Sequence, residues 1–522
     1  MVVRYDPNTE KLIVQEANRL EYTQCQLWLK RHIKGYKFNP IVKMGAWDGQ
    51  IDFFNNGQVN FGLWKEMVKA MKEIGSNFVV ENKEDFPLDR QVTLESVQDF
   101  CDEFFKGYKA KNDKGELVEF TPRDYQVESA FKILKNKMAL LQVATSGGKT
   151  LIMSIIIFYI LKNINPDAKF LVIVPAISLV TQFYDAITEF NTNFGTQEAQ
   201  CDLRIEEIMS DKPRKFSGAK DPNIYISCYQ SIVEWDRSWF EKFEAVMIDE
   251  SHLAKAKSLT TILEKTFTTA KYRFGVSGTF PDEMSCEILT IQAVTGPIMH
   301  DISAKKLIDE GSISPLDIKI MYLNHNDKSF DTILRTVRRN PNRAIEAYQA
   351  EKEYVQKSKS RKDFVKKLVS KCTKNTLLLF NSIEFGKGLF EEISKEQTDK
   401  KFFYIDGEVS AKERELIKKE MEISDESIRI LFGSFGTLST GISIKNIYNI
   451  IFMESFKSES RIIQSIGRGL RLHASGKVAN IFDLVDQFIE EEPRNAFFKH
   501  GEERKKMYKK HTYPYKEIKF NL

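Results

Sequence analysis

The chain has 522 residues, 42% hydrophobic and 29% charged, which excludes a mostly disordered, collagenous or small disulfide-stapled protein. That length accommodates three or four domains, each with its own core. The 77 basic and 73 acidic residues leave a net charge of +4, too weak to establish a nucleic-acid partner, so any basic surface must be local.

The six cysteines are far apart and form no CxxC pair, which fits a reducing compartment and offers no thiolate metal site. The seven histidines form no metal-ligand pattern. The N-terminus, MVVRYDPNTEK, lacks the apolar core of a signal peptide. The longest apolar run, residues 151–161, is about half a membrane span. A soluble, intracellular protein without a membrane partner is expected.

Residues 1–112 read as a small α+β domain. Residues 12–14 predict a strand, and 20–33, 61–74 and 92–105 predict helices. Trp47-Asp48-Gly49 and Asn56-Gly57 are turn signals between apolar stretches. The segment KAKNDKG at 109–115 suits a linker. Residues 113–315 then alternate as βαβ units. Short apolar strands are expected at 138–143, 169–174, 223–227, 245–248 and 273–276, each ending at polar, proline or glycine residues. That rhythm predicts a parallel sheet covered on both faces, with ligands at the carboxyl ends of its strands. Residues 316–370 are polar and helical in pattern, and rich in Arg and Lys. They suit a solvated connector or a DNA-facing insertion. Residues 371–488 repeat the βα rhythm, with strands expected at 376–380, 402–405, 428–432, 450–453 and 478–484. Residues 489–522 form a C-terminal extension, expected to be helical, whose Arg504, Lys505, Lys506, Lys509 and Lys510 suit a solvated face or a phosphate contact.

The strongest local signal is Val143-Ala144-Thr145-Ser146-Gly147-Gly148-Lys149-Thr150. The leading Gly of a phosphate loop is replaced by Val143, but two glycines, Lys and Thr remain between a strand and a helix. Glycines let backbone N–H groups turn toward phosphate oxygens, and the helix N-terminus adds its dipole. Lys149 is placed to reach the β and γ phosphates of ATP, and Thr150 to offer its hydroxyl to Mg²⁺. Asp249-Glu250 follows the apolar run 245–248 about a hundred residues later. Asp249 suits Mg²⁺, and Glu250 suits orienting and partly deprotonating a water. Gln464-Ser465-Ile466-Gly467-Arg468-Gly469-Leu470-Arg471 sets two arginines three apart, on one helical face. Such arginines stabilise charge as a γ-phosphoryl leaves.

In this order the motifs resemble those of superfamily two helicases with two RecA-like domains, over residues 120–488. The resemblance implies an adenine contact at Gln126, in Arg123-Asp124-Tyr125-Gln126, and phosphate binding by Ser146, Gly147, Gly148, Lys149 and Thr150. It implies DNA-backbone contacts from Pro175 and Gln182, from Gln230 and Ser231, and from Thr437 and Thr440. Asp249-Glu250-Ser251-His252 resembles a DExH motif, with His252 expected to link it to Ser277-Gly278-Thr279 or to Gln464. Ser277, Thr279 and Gly441 would couple hydrolysis to movement, Phe380-Asn381-Ser382 lies at the place of motif IV, and Arg468 and Arg471 would be the arginine fingers.

The whole chain further resembles the UvsW helicases of T-even phages, on Gly35-Tyr36-Lys37-Phe38-Asn39-Pro40 and Gly45-Ala46-Trp47-Asp48-Gly49. This implies an ATP-driven remodeller of branched and single-stranded DNA that regresses forks, migrates branches, and anneals and unwinds strands in recombination, repair and replication. It also implies action on RNA–DNA hybrids, a place in the cytoplasm of an infected bacterium, and transient contact with replication or recombination proteins. A monomer is the default expectation. The N-terminal domain either touches DNA or only packs on the motor, with Phe38 and Trp47 then in its core. Lys43, Lys65, Arg338, Arg339 and Arg361 are candidates for a basic groove. The alternatives are an RNA helicase, disfavoured by DESH in place of DEAD, the motor subunit of a restriction complex, and a non-enzymatic DNA-binding or clamp-like protein with a degenerate motor, disfavoured by the intact Lys149, Asp249, Glu250 and Arg468.

Overall fold

The computed structural model describes all residues except 112–115, 193–199, 210–220, 255–256, 267, 339–342, 424, 440–443, 445, 457–461, 464, 468–477 and 489–493. The chain divides into two compact units, Met1–Ala144 with Gly148–Ile302, and Ser303–Leu522 with Thr145–Gly147.

The first unit is built on a seven-stranded parallel sheet. Its order is Ile205–Ile208, Ile224–Cys228, Phe170–Val174, Ala245–Asp249, Tyr272–Ser277, Met138–Val143, Ile298–Ile302. The central strands FLVIV and AVMID are apolar on both faces because helices cover both faces. Helix Lys149–Tyr159 is buried from Leu151 onward, so it is apolar all round rather than amphipathic. In register, Val174 lies beside Cys228, Asp249 beside Val276, and Ser277 beside Gln142. The polar residues after these strands therefore meet at one edge.

The N-terminal domain carries a small sheet ordered Gln58–Asn60, Lys11–Glu16, Val2–Asp6, Val79–Val80. Helices Arg19–Trp28 and Trp64–Glu73 pack on it around Val3, Leu12, Leu29 and Met67, and that core continues into Met138, Leu289 and Ala293 of the motor. Polar contacts reinforce the seat. Arg273, fully buried, pairs with Glu10, which also accepts from the Thr268 N–H at 2.8 Å. Lys65 Nζ donates to the Ile298 carbonyl at 3.0 Å, so this lysine is a docking residue rather than part of an open groove. Gly62 is required by close approach, since a Cβ there would stand 1.9 Å from the Gln292 carbonyl oxygen.

Helix Leu94–Phe104 belongs with the motor, because Val97, Cys101 and Phe104 enter the core of the first sheet and Phe104 stacks on Phe158 at 4.8 Å. Packing thus changes before the composition shift near residue 112. Of the expected linker, Lys109–Lys111 pairs antiparallel with Leu117–Glu119.

The second unit has its own seven-stranded parallel sheet, ordered Lys401–Ile405, Arg429–Ser434, Thr376–Phe380, Asn449–Phe452, Ala479–Gln487, Leu316–Asn324, Tyr515–Asn521. One expectation is corrected and one extended here. Residues 316–324, read from polarity as the start of a helical connector, form a strand paired along its length with Ala479–Gln487. The helices begin at Lys328–Arg338 and continue as Ala344–Lys357 and Lys359–Ser370. The C-terminal extension is a helix, Ala496–Lys510, followed by an edge strand of this sheet.

Candidate active site

The turn after strand Met138–Val143 brings two residues into the left-handed region, Ser146 at φ 69° and Gly148 at φ 79°, before helix Lys149–Tyr159 begins. Successive N–H groups in such a turn face inward and form an anion-binding concavity. Gln126 closes one side. Its Oε1 accepts from the Arg123 N–H at 2.9 Å, which turns its amide nitrogen toward the loop. A Cβ at Gly148 would stand 2.3 Å from that nitrogen, so this glycine cannot be replaced without displacing Gln126.

Strand Ala245–Asp249 delivers the acidic pair to the same edge. Lys149 Nζ lies 2.7 Å from Glu250 Oε1. Glu250 itself is left-handed at φ 51°, a costly conformation for a side-chain-bearing residue and typical of functional sites. Its N–H donates to Asp249 Oδ1 at 2.9 Å. His252 Nδ1 stands 3.0 Å from Ser277 Oγ and 3.3 Å from Glu250 Oε2. Ser277 Oγ donates to the Thr279 carbonyl at 2.8 Å and lies 3.3 Å from Glu250 Oε2. His252 therefore sits between the acidic strand end and Ser277-Gly278-Thr279, the first of the two links expected of it. Gly275 lets the strand approach the acidic turn, since a Cβ there would lie 2.3 Å from the Ser251 Cβ.

The charges are unequal. Burial, then the Glu250 charge, pushes the Asp249 carboxyl up to about 6. Burial works against Glu250 as well, yet Lys149 and His252 outweigh it and hold Glu250 well below the usual carboxylate range. Burial would lower Lys149, but Glu250 and Asp249 keep it raised. One buried carboxyl is thus satisfied by the lysine, and the other is left in want of a cation. Thr150 at the helix start and Asp249 are hard oxygen donors of the kind Mg²⁺ takes beside phosphate and water. Among the described residues no cluster of three or more His, Cys, Asp or Glu is placed to hold a metal ion by itself.

The remaining sequence candidates fall in several places. Pro175 and Gln230 follow adjacent strands at this edge, with Gln230 exposed, and Gln182 is exposed on helix Ile177–Thr192. Ser231 is turned inward, 8% exposed. In the second unit, Thr437 Oγ1 accepts from Ser434 Oγ at 2.8 Å. Thr440, Gly441, Gln464, Arg468 and Arg471 lie outside the described residues. Arg361 is not a groove residue. It is fully buried and donates to Asp486 Oδ1 at 2.7 Å. Arg504 is likewise buried on Asp483 at 2.7 Å, not solvated. Sequence reasoning missed Glu454, buried just past strand Asn449–Phe452. Its carboxylate accepts from the Ser382 N–H at 2.7 Å and from the Asn381 N–H, fixing the place of motif IV. An acid directly after an apolar strand was the available signal.

Three family models match the chain: "Type III restriction enzyme, res subunit" over residues 119–282, "Helicase conserved C-terminal domain" over 360–473, and "DNA helicase UvsW, N-terminal" over 13–81. The chain is 29% identical over 461 residues to the ATP-dependent DNA helicase uvsW of Enterobacteria phage T4, covering 87% of this chain and 84% of the relative.

The chain is similar to UvsW, a superfamily two helicase, over most of its length.

Solved structures agree on the fold. The DNA-bound Type ISP restriction-modification enzyme LlaBIII matches with a TM-score of 0.55 at 15% identity, over 88% of this chain and 34% of that one. A fragment of an HsdR subunit of a type I restriction enzyme from Vibrio vulnificus matches with a TM-score of 0.51 at 17% identity, over 77% and 69%. The helicase has the nucleotide-hydrolysing motor of its superfamily, which depends generically on ATP and a divalent cation. No helix among its described residues is long and apolar enough to cross a membrane.

Proposed function

We propose that this helicase uses Mg²⁺-ATP to remodel branched DNA, regressing forks, migrating branches, and unwinding and annealing strands, with RNA–DNA hybrids as further substrates, in the cytoplasm of an infected bacterium. The observation that carries the reading is the continuous chain of contacts from Lys149 through Glu250 and His252 to Ser277. It ties the phosphate loop to the strand end that leads toward the DNA-facing segments. Lys149 and the loop N–H groups bind the phosphates, and Gln126 orients the base. Thr150 and Asp249 would hold the cation, which would supply charge neutralisation beside the phosphates. Glu250 orients the attacking water and receives its proton, while His252 holds Glu250 in place. Arg468 and Arg471, together with Gln464, supply positive charge to the leaving phosphoryl, and Gly441 takes part in coupling hydrolysis to movement. Pro175, Gln182, Gln230, Ser231, Thr437 and Thr440 follow the DNA backbone, and Thr279 acts with Ser277 in coupling. Phosphate contacts of this kind suit a protein that recognises branched shape rather than sequence.

The test is steady-state ATP hydrolysis alone and with single-stranded DNA, a four-way DNA junction, single-stranded RNA and an RNA–DNA hybrid, with Glu250→Gln as control. The expected result is strongest stimulation by branched DNA. Stimulation by RNA alone would replace this reading with an RNA helicase.

A further inference from the structure

Residues 33–49 form the loop of a two-stranded ribbon, Lys30–His32 with Gln50–Asp52, on the N-terminal domain. The loop is built with care. His32 and Tyr36 stack at 3.9 Å, the Ile33 N–H donates to the Gly49 carbonyl at 2.9 Å, and Trp47 Nε1 donates to the Gln50 carbonyl at 3.0 Å. Gly49, at φ 75°, backs onto Tyr36 so closely that a Cβ would stand 2.7 Å from the Tyr36 Cβ. Asn39 accepts from the Ile41 N–H at 3.0 Å, and Pro40 opens the short helix Pro40–Lys43.

These contacts fix the loop without burying its large apolar residues. Phe38 is 80% exposed, Met44 74% and Ile41 49%, so Phe38 is not the core residue its type suggests. Single exposed apolar residues are ordinary, but three within seven positions on a fixed loop mark a binding surface. Charge selects the occupant. Residues 33–47 contain Lys34, Lys37 and Lys43 and no acid. The next acid, Asp48, is taken by Lys30 at 3.1 Å. An apolar tip rimmed by uncompensated lysines fits a polyanion whose interior is apolar and stackable. The ribbon also touches helix Cys286–Thr295, which follows the Ser277 strand, so the tip and the motor of this unit share one frame.

We propose that Phe38, Ile41 and Met44 form a wedge that enters a base step at the branch point of DNA, while Lys34, Lys37 and Lys43 meet the flanking phosphates. The proposal rests on the DNA-remodelling reading above and adds where on the chain the branch is met.

The test uses the full chain and its Phe38→Ala/Met44→Ala variant, without nucleotide. A four-way junction carries 2-aminopurine at its centre or in an arm. The wild type should brighten the central probe and leave the arm probe dark. The variant should lose the brightening and bind the junction about 10-fold more weakly. Its affinity for linear duplex and its DNA-free hydrolysis should stay unchanged. A second variant, Lys34→Gln/Lys37→Gln/Lys43→Gln, should bind with a shallower salt dependence yet brighten the central probe at saturation. The wedge is overturned if the wild type binds the junction without brightening, or if the alanine variant matches it in both readouts. Loss of self-association or of binding to anionic vesicles in that variant, with junction affinity unchanged, overturns it equally. Wild-type protein that binds no DNA overturns the wedge and the DNA reading together, whereas intact DNA-stimulated hydrolysis with an alanine variant that matches the wild type in brightening and junction affinity overturns the wedge alone.

Discussion

Both sheets of this helicase are parallel, seven-stranded, and carry ionised side chains at or near strand ends, yet those charges live differently. In the first unit, Lys149 and Glu250 keep 13% and 16% of their side-chain surface exposed, and Asp249 beside them has no cation of its own. In the second, Asp483 and Asp486 on strand Ala479–Gln487 are closed off completely. Arg504 and Tyr508 bond both oxygens of Asp483, and Arg361 and His325 both meet Asp486 Oδ1, at 2.7 to 3.0 Å. Glu351 goes further, accepting from the N–H groups of Ala496 and Phe497 at 2.9 Å and so capping the C-terminal helix. Charges fully matched by protein hold a fold together. Charges left partly unmatched at a strand end wait for a ligand.

If that division is right, substitutions in the two sets separate activity from stability. Lys149→Ala should lower ATP turnover by at least about 10³-fold, because it removes the cation facing the phosphates where charge develops. Its unfolding temperature should change little, and nucleotide binding by fluorescence titration should weaken with it. Arg361→Ala should do the reverse, destabilising the second unit by about 3–5 kcal/mol by stranding Asp486 in the interior. Denaturant unfolding followed by hydrogen exchange on residues 479–487 checks it. A variant with normal stability would show that Asp486 is less enclosed than its contacts indicate.

Much of this was legible in the sequence, and the exceptions have physical reasons. Most of the apolar central strands were found within a residue or two, because burial on both faces leaves an unbroken run such as FLVIV. The glycine turn before helix Lys149–Tyr159 and the acidic pair at the end of strand Ala245–Asp249 were legible because the chemistry expected of them requires those residue types at that spacing. Strand Leu316–Asn324 was missed because LDIKIMYLN alternates polar and apolar at its start, and Tyr515–Asn521 because an edge strand can be charged. Arg361 and Arg504 read as solvated cations because their acids lie 125 and 21 residues away, and no local pattern reports such a partner. Phe38 misled in the opposite direction, since hydrophobicity alone does not say which apolar residue a loop holds outward.

Asp486 offers a pH test of the same division. Arg361 and His325 face it and overcome its burial, lowering it from 3.8 to about 2, with Arg504 of helix Ala496–Lys510 on the neighbouring Asp483. A carboxyl lowered in the folded state stabilises above its unfolded value and loses that contribution as pH falls through the folded one. The stability gap between the wild type and Asp486→Asn should therefore be constant above pH 4. It should shrink by about 2 kcal/mol as pH approaches 2. A gap that stays unchanged down to pH 2 would show that Asp486 is not held low by its partners.

The smallest expected effect bears on the link between hydrolysis and movement. Ser277 Oγ is the one hydroxyl in contact with Glu250, His252 and Thr279 at once among the described bonds. Ser277→Ala removes that bridge but leaves Lys149, Asp249 and Glu250 in place. Base pairs separated per ATP should fall about 5-fold, the worth of one hydrogen bond, while DNA-stimulated hydrolysis stays near the wild-type rate. Measuring both on one junction substrate decides the role. Equal losses would place Ser277 in the hydrolytic step. A loss confined to strand separation means that the Glu250–His252–Ser277 contacts carry the state of the phosphate loop toward the DNA rather than serving the cleavage itself.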